Sequence, residues 1–327
     1  MATMDVEQYV AALYQLALDR APEPDGLRAW ASIFAEDPTA VLAGILASDE
    51  YRARFASVTL AEDERVLGDK CKLALTGALC GRPLTIVDVG AQTLAGEEHV
   101  YQPLCQSGLP YQIIGFEPLE DQLQKREAAE GNGSLVMLPH AIGDGERHVL
   151  HINNDDGTSS LFPLNEPLCA RFESLDHLRT VRQLEVATHR LDDVLTVKTV
   201  DFLKLDIQGA ELMALKGAEK TLASTAVVHC EVEFEPIYRG QPLYPEVQAY
   251  LNACGFVLID LIIPHRYAYS VPSHRFAHDR LLWGEAVFFR ETENAATLAA
   301  QALAALRVYD KPTLAEHLLT RIDGRVA

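Results

Sequence analysis

Short apolar runs alternate with helical stretches from residue 82 to residue 290, and this pattern constrains the fold more than any other feature of the chain. Runs that are apolar throughout are typical of parallel strands covered on both faces, and the helical stretches between them supply crossover connections. We therefore predict an α/β fold with a doubly wound, mostly parallel sheet. The runs that carry the pattern are LTIVDVG, YQIIGFEP, SLVMLPHAIG, VDFLKLDI, AVVHCEVEF, GFVLIDLII and GEAVFFR.

The segments outside this pattern are helical and divide the chain. Residues 1–60 carry apolar side chains at helical spacing and predict a small N-terminal all-α module, which a linker helix at 61–82 joins to the sheet domain at 83–292. The Ala- and Leu-rich residues 293–327 predict a C-terminal helical hairpin, because Pro312 restarts a helix there. Within the sheet domain, the alternating segments HVLHI and LEVATH predict additional, inserted strands.

Charge and cysteine usage exclude several classes of protein. The 327 residues include 28 Lys and Arg against 47 Asp and Glu, a net charge of −19. Because duplex binding rests on clustered cations, we expect no nucleic-acid partner. The six cysteines never fall at CxxC spacing, and neither a signal sequence nor an apolar run of about 18 residues is present. We expect a cytoplasmic protein without a membrane span.

Acidic residues at the ends of the first two runs indicate a nucleoside-bearing cofactor. Asp88 and Gly90 end the first run, where an open α/β sheet places its ligands, and Glu117 ends the second, where it can accept hydrogen bonds from ribose hydroxyls. The following loop, GAQTLAG, lacks the GxGxxG spacing of dinucleotide sites. This favours S-adenosylmethionine. The alternative is that each acidic residue merely ends its strand in solvent.

The third run ends in PHAIGD and extends the same candidate site. Ala141 and Ile142 are predicted to lie beside an adenine ring, and Asp144 to accept from its exocyclic amine. His140 is a candidate proton acceptor, but a histidine satisfied at a strand end is the favoured interpretation.

Two carboxylates at the ends of the fourth and fifth runs are the candidates for catalysis. Asp206 and Glu231 are expected to lie close enough for one to raise the pKa of the other, which suits a general base that removes a hydroxyl proton. Alternatively, Asp206 orients the cofactor and Glu231 only binds the substrate. With no third oxygen ligand evident, we predict no metal.

A basic, aromatic segment between the last two runs is the candidate acceptor site. Within PHRYAYSVPSHRFAHDR, the residues Arg266, Tyr267 and Arg275 suit stacking on a sugar and pairing with an anion. The alternative is a surface connection whose arginines pair with the excess carboxylates. Ser159, in TSSL, and the pair Tyr238 and Arg239, in EPIYRGQPLY, are assigned to the same cleft or to hydrogen bonds that anchor loops.

Taken together, these motifs resemble the FkbM-type methyltransferases in identity and in order. The motifs are VDVGA, IIGFEP, HAIGD, TSSL, RLDDVL, DFLKLDIQGAELMALKGA, EVEFEPIYRGQPLYPEVQAYLNACGF and WGEAVFFR. The resemblance covers residues 84 to 290 and implies a Rossmann-like class I methyltransferase fold that binds S-adenosyl-L-methionine. It implies cofactor contacts from Gly90, Ala91 and Pro118 as well as from Asp206.

The chain departs from the family pattern at four positions. Gln92 replaces the usual Asn of DVGAN, and the next glycine is delayed to Gly96. Gln208 stands where an acidic residue is common, and Glu233 where a smaller or neutral one is. None of these changes removes Asp88, Glu117 or Asp206.

The N-terminal module resembles a short helical domain of unknown function found in bacterial proteins linked to surface glycans. We therefore expect an S-adenosylmethionine-dependent O-methyltransferase that acts on a hydroxyl of a sugar, glycan or related polyol-like metabolite. The terminal helical segments suggest a homo-oligomer or a glycosyltransferase partner. A catalytically inactive binding or scaffold protein is the main alternative, and an NAD-dependent oxidoreductase is disfavoured by the missing GxGxxG.

Overall fold

The computed structural model describes residues 6–7, 10–11, 14, 18, 20–36, 45, 48, 50, 60–79, 82–93, 98–129, 133–271 and 277–323. The helices are α1 Pro24–Glu36, α2 Leu60–Leu79, α3 Gln102–Cys105, α4 Glu120–Ala129, α5 Glu166–Cys169, α6 Leu191–Val194, α7 Glu211–Lys216, α8 Glu219–Ala223, α9 Tyr244–Ala253, α10 Ala295–Arg307 and α11 Pro312–Asp323. The strands are β1 Leu84–Val89, β2 Tyr111–Phe116, β3 Leu135–Leu138, β4 Ala141–Ile142, β5 Arg147–Asn153, β6 Thr180–His189, β7 Val200–Leu205, β8 Thr225–Glu233, β9 Phe256–Tyr267 and β10 Arg280–Arg290.

The main sheet has seven strands in the order β3-β2-β1-β7-β8-β10-β9. The first five run parallel, and β10 is antiparallel to both β8 and β9. The strand order reverses between β1 and β7, which creates the crevice at the carboxyl edge where open α/β sheets bind ligands. The predicted α/β, doubly wound, mostly parallel fold is confirmed.

Two apolar layers cover the two faces of this sheet, as the continuous apolar runs predict. One layer joins Ile86 and Phe202 to Leu75 of α2 and to the alanine-rich helix α10. The other joins Leu203 and Val228 to α7, α8 and α9. The faces differ near the carboxyl edge, where the α10 face carries charged side chains in place of apolar ones.

The predicted C-terminal helical hairpin consists of α10 and α11, and Pro312 begins the second helix. The Asn294 side chain caps α10 by accepting from the backbone nitrogen of Thr297 at 3.1 Å. Small alanine side chains bring α10 close to the sheet, and the buried amide of Gln301 donates to the carbonyl oxygens of Ala226 and Arg290. The hairpin therefore completes the core of the sheet.

A second, three-stranded sheet has the order β4-β6-β5. β5 and β6 pair antiparallel and contain the two alternating segments predicted to be inserted strands, while β4 pairs parallel with β6. This small sheet places residues 157–161 beside the carboxyl edge of the main sheet.

The chain divides into two compact units, residues 1–66 and 67–327. In the first unit, Val10, Tyr14, Leu18 and Ile45 are buried together, and the Trp30 indole donates to the Tyr14 hydroxyl at 2.8 Å. None of the described helices is both long and apolar enough to cross a membrane. The finer division at 1–60, 61–82, 83–292 and 293–327 remains a prediction.

Candidate active site

A cavity of about 260 Å³ opens at the carboxyl edge of the main sheet. It runs along the ends of β2, β1 and β7 and continues onto side chains of β8 and β10. Its described lining is Val89, Gly90, Gln92, Glu98, His99, Val100, Phe116, Glu117, Pro118, Leu119, His140, Ala141, Ile142, Leu150, Gly157, Ser159, Leu161, Lys204, Asp206, Ile207, Gln208, His229, Ile263 and Glu285.

Gly90 marks the point where two strand ends approach each other most closely. Its φ of 82° is in the left-handed region, and a Cβ at this position would lie 1.9 Å from the carbonyl oxygen of Asp206. Only glycine fits such a contact. The sequence DVG therefore sets how closely the end of β1 meets the end of β7, and Gly90 lines the cavity as predicted for a cofactor contact. Ala91, its neighbour, is fully buried behind this lining.

Glu117 lies at the end of β2, with Pro118 beside it in the lining. Its Oε1 accepts from the backbone nitrogen of Leu119 at 2.8 Å. Burial raises the pKa of this carboxyl to about 7, although the Leu119 hydrogen bond opposes the shift. A carboxylate that still has free acceptor capacity suits a ribose diol, which is the role predicted for it.

Asp88 is fully buried below the cavity and does not belong to its described lining. Its Oδ2 accepts from the Tyr101 hydroxyl at 2.6 Å, and Arg126 in turn donates to that hydroxyl at 3.0 Å. His99, 3.7 Å from Asp88, does line the cavity, and burial lowers the pKa of its imidazole to about 4. Asp88 therefore holds the cavity floor, and a direct cofactor contact remains a prediction.

The residues predicted around the adenine separate into two groups. Ala141 and Ile142 line the cavity beside His140, whose ring packs against that of His189 with centres 4.4 Å apart and an angle of 51° between the ring planes. Burial and His189 lower the pKa of His140.

Asp144 lies outside the described lining, where its Oδ1 accepts from Thr188 and faces Nε2 of His148 at 2.8 Å. The apolar part of the predicted adenine site is thus brought together without Asp144.

Lys204 provides the central positive charge of the site. Its Nζ lies 3.2 Å from Asp206 and 3.5 Å from Asp88. Burial disfavours the charged ammonium, but the two carboxylates outweigh burial and raise the pKa of Lys204. Burial likewise opposes ionisation of Asp206, yet Lys204 and the amide of Gln208 hold its pKa below the usual value. Asp206 is therefore an ionised, weakly basic carboxylate.

Gln208 joins the two carboxylates predicted to act in catalysis. Its amide nitrogen donates to Asp206 at 3.0 Å and to Glu231 at 2.8 Å. Burial and the charge of Asp206 raise the pKa of Glu231 well above the usual value. An acidic residue at position 208 would lack the amide hydrogens that Gln208 donates to both carboxyl groups, so the departure from the family pattern has a hydrogen-bonding reason. Asp206 lines the cavity, whereas Glu231 lies behind Gln208.

The predicted acceptor residues Ser159, Tyr238 and Arg239 also differ in whether they line the cavity. Ser159 lines the cavity, and its Oγ accepts from the backbone nitrogen of Asn153 at 3.3 Å. Tyr238 is buried and donates to the Gln208 side chain and to the carbonyl oxygen of Thr158, at 2.8 and 2.9 Å. Arg239 is exposed. Tyr238 therefore anchors Gln208 and the 158 loop, and its contact with substrate remains a prediction.

The described parts of the basic segment lie at the end of β9 and just before and at the start of β10. Arg266 is exposed, and Tyr267 packs beside Trp283, whose indole donates to its hydroxyl at 3.3 Å. Arg275 lies outside the described residues. Ile263, just before the segment, lines the cavity. The acceptor role of these three predicted residues remains a prediction.

The titratable lining residues that the sequence analysis did not predict are Glu98, His99, Lys204, His229 and Glu285. Lys204 and His229 each lie two positions before a predicted strand-end carboxylate. Alternating strand positions share a face of the sheet, so this spacing was an available signal. Glu285 needed the pairing of β10 with β8, which places it opposite Glu231. No cluster of three or more His, Cys, Asp or Glu side chains suited to a metal occurs among the described residues.

Comparison with known proteins finds one family match in the sheet domain and another in the N-terminal segment. A family model described as "Methyltransferase FkbM domain" matches residues 88–258, and a domain of unknown function, DUF4214, matches residues 2–55. The curated protein 2-O-methyltransferase NoeI of Sinorhizobium fredii (strain NBRC 101917 / NGR234) is 28% identical over 140 residues, which cover 40% of this chain and 57% of that protein. The chain thus matches little more than half of this relative's length.

Solved methyltransferase structures also align with the chain. Precorrin-6y C5,15-methyltransferase from Geobacter metallireducens GS-15 is 9% identical, covers 67% of this chain and 88% of its own, and has a TM-score of 0.32. The 23S rRNA methyltransferase ErmE is 7% identical, covers 79% of this chain and 97% of its own, and has a TM-score of 0.31.

Proposed function

Because the chain belongs to the FkbM methyltransferase family, we propose that it transfers a methyl group from S-adenosyl-L-methionine to a hydroxyl of a sugar, glycan or related polyol-like metabolite. One observation carries the proposal. A single cavity connects the ribose-type carboxylate Glu117 and the apolar side chains of Ala141 and Ile142 with the ionised Asp206. The proposed nucleoside site and the charged side chain of Asp206 thus lie in one continuous cavity.

The residues of this cavity fit the methyl donor in chemistry. Glu117 offers carboxylate oxygens to a ribose diol, and Ala141, Ile142 and Pro118 offer apolar surface to a purine. Asp206 presents negative charge towards a positively charged amino acid moiety, while Gly90 leaves backbone room beside it. When bound, S-adenosylmethionine supplies an electrophilic methyl group on a positively charged sulfur.

This chain's own contribution to the reaction is to position and to exclude water. The acceptor oxygen must lie in line with the methyl group, and a site that holds both partners in that geometry accelerates the reaction by proximity and orientation. Gln208, held by Tyr238, fixes the orientation of Asp206 and Glu231. The connection between β5 and β6 supplies Ser159 and Leu161 to the cavity lining. These elements leave the region above β7, β8 and β10 for the acceptor.

An oxygen acceptor is proposed because the relative NoeI is named as a 2-O-methyltransferase. A sugar or polyol hydroxyl is proposed because the described cavity wall mixes apolar side chains with polar ones such as Ser159 and Gln208. We extend the proposal to a reducing compartment such as the cytoplasm, since the described cysteines Cys71, Cys105, Cys169, Cys230 and Cys254 are all free thiols. A homo-oligomer or a glycosyltransferase partner at the terminal helical segments also stays a proposal.

Calorimetric titration with S-adenosylmethionine and S-adenosylhomocysteine tests the cofactor, with NADH as the control ligand. Micromolar binding of both sulfur compounds, weakened at least about tenfold in Glu117→Gln, is the expected result. Glu120→Gln, an exposed carboxylate at the start of α4, serves as the matched control and should bind normally. A folded protein that binds neither sulfur compound would contradict the proposal and favour a scaffold role.

The acceptor is tested with methyl-labelled S-adenosylmethionine against a panel of nucleotide sugars, free glycans and non-sugar polyols. Transfer of label to a sugar hydroxyl, located by mass spectrometry of the product, is expected. Transfer only to a nitrogen or carbon acceptor in a wider panel would contradict the O-methyltransferase assignment while leaving the cofactor assignment intact.

A further inference from the structure

A buried histidine and a carboxylate face the acceptor end of the cavity and have no role in the positioning described above. His229, on β8, is only 1% exposed, and its Nε2 lies 3.0 Å from Oε2 of Glu285 on β10. Both side chains line the cavity. Oε2 of Glu285 is buried, and its close approach to Nε2 does not have the geometry of a hydrogen bond, so this oxygen accepts no hydrogen bond from the described residues and has acceptor capacity to spare.

We propose that Glu285 is the proton acceptor for methyl transfer and that His229 and Tyr309 are its positioning residues. The inference rests on the proposed function, because it assigns a step of that reaction. It replaces neither Asp206 nor Glu231 in holding the site, but it moves the base to a strand that the family match, residues 88–258, does not include.

The sheet order places Glu285 at the correct end of the cavity. The ribose-type carboxylate Glu117 ends β2, and β10 lies four strand spacings away, about 19 Å at the usual separation. A nucleoside bound over β2 and β1 directs its reactive end towards β7. The acceptor hydroxyl then lies over β8 and β10, where Glu285 and His229 are the lining side chains and Glu231 is hidden behind Gln208.

Tyr309 contacts Nδ1 of the His229 imidazole and so determines which ring nitrogen carries the hydrogen. It lies between α10 and α11, is buried, and its hydroxyl is 3.1 Å from Nδ1 of His229. The rings of Tyr309 and His229 stack with an interplanar angle of 9°. Burial and Glu285 raise the pKa of Tyr309 well above the usual value, so its hydroxyl keeps its proton and can donate it to Nδ1. Nε2 then carries the ring hydrogen, and this nitrogen lies 3.0 Å from Oε2 of Glu285.

The step balances with the groups named. The acceptor oxygen forms a bond to the methyl carbon while the methyl–sulfur bond breaks and leaves its electron pair on sulfur. The hydroxyl proton passes to the Glu285 carboxylate, which the neighbouring imidazole of His229 holds in place. The proton leaves to solvent after the products dissociate, so no oxidant or further reactant is required.

Other charged groups face this pair and shape its pH response. From β1 and β7 these are Asp88, Lys204 and Asp206, and from β8 it is Glu231, which pairs in register with Glu285. The C-terminal hairpin contributes only Tyr309 among the described contacts of this pair. Lys204 is the nearby cation that offsets these carboxylates, and this is why several of them can be buried in one layer.

Kinetics with the acceptor identified in the panel above test the base. Glu285→Gln should lower kcat by about a hundredfold or more and abolish the fall of kcat on the acid side, with the Kd of S-adenosylhomocysteine unchanged. Tyr309→Phe should lower kcat about tenfold with KM unchanged. Tyr250→Phe, which removes a hydroxyl that contacts Leu215 on the other face of the sheet, should behave as wild type. Loss of the acid limb in Glu231→Gln, with Glu285→Gln fully active, would overturn the assignment.

A second measurement needs no acceptor. In the full-length protein labelled with ¹⁵N-histidine, the His229 ring, assigned with His229→Gln, should carry its hydrogen on Nε2, and Tyr309→Phe should weaken that preference. A hydrogen on Nδ1 in the wild-type protein would overturn the positioning role. Failure of wild-type protein to bind S-adenosylmethionine would instead refute the proposed function, so the two failures are distinguishable.

Discussion

The two ends of the cavity draw their residues from different parts of the strands. At the cofactor end, Gly90, Glu117 and Ala141 each follow the strand that delivers them, so each is part of a short sequence motif. At the acceptor end, Lys204, His229 and Glu285 lie within three different strands, and one of them depends on the C-terminal hairpin. The contrast teaches that the proposed binding edge is encoded locally, whereas the proposed catalytic layer depends on strand pairing.

The largest effect on stability should come from the close contact between Gly90 and Asp206, which joins the two ends of the cavity. Gly90→Ala places a Cβ 1.9 Å from the Asp206 carbonyl oxygen, so we expect it to lower the free energy of unfolding by about 3 kcal/mol or more. Gly108→Ala is a matched control with a φ of 83° and nothing within 4 Å of the added methyl group. It should lose about 1 kcal/mol from backbone strain alone. Urea unfolding measures both, and equal losses would refute the close contact.

The next effect tests the charged layer at the acceptor end. Lys204→Met should destabilise the protein by about 3 kcal/mol, because Asp88 and Asp206 would remain buried without their cation. Adding Asp88→Asn should restore part of that loss, since it removes one of the uncompensated charges. A double-mutant cycle by urea unfolding gives the interaction energy. Strictly additive losses would mean that Lys204 and Asp88 do not interact.

The cofactor end should respond to pH through Glu117. Its raised pKa, about 7, keeps the carboxyl neutral below that pH, and a neutral carboxyl is a poorer acceptor for ribose hydroxyls. The Kd of S-adenosylhomocysteine should therefore rise about tenfold between pH 8 and pH 6, following the lost carboxylate fraction. Glu117→Gln should bind weakly and show a flat profile, and Glu120→Gln should retain the wild-type slope. An unchanged slope in Glu117→Gln would assign the titration to another group.

The smallest effect is expected at Asp144, which lies beside His148 and Thr188 outside the described lining. Asp144→Ala should change the Kd of S-adenosylhomocysteine by less than about threefold, because the loss of a real hydrogen bond to the adenine would give about tenfold. Calorimetry at pH 8 decides the question. A tenfold loss would restore Asp144 to the adenine site and extend the cofactor end towards the small sheet.

Most of the fold was predictable because its signals are local. Continuous apolar runs specify strands covered on both faces, and Pro312 marks the start of the last helix. The strand-end residues Gly90, Glu117 and Asp206 were predictable for the same reason, since the carboxyl edge of a parallel sheet collects the residues that follow its strands. Their presence in one cavity needed no knowledge of side-chain packing.

What surrounds those residues was not predictable, because it depends on contacts between distant segments. A cofactor contact of Asp88 stays a prediction, but the sequence did not indicate that Tyr101 and Lys204 surround it below the cavity. Gln208 looked like a departure from a family motif, yet its left-handed φ of 55° and its amide place it between two carboxylates. No spacing rule reports such a bridge.

The sequence by itself determined the strands, the switch point between them and the polar residues at their ends, because hydrophobic periodicity and chain direction fix these. Only the tertiary structure decided which of the acidic residues reach the cavity and which are neutralised or hidden. The physical reason is that the charge and accessibility of a buried carboxylate depend on the side chains that pack around it, as Lys204 lowers the pKa of Asp206.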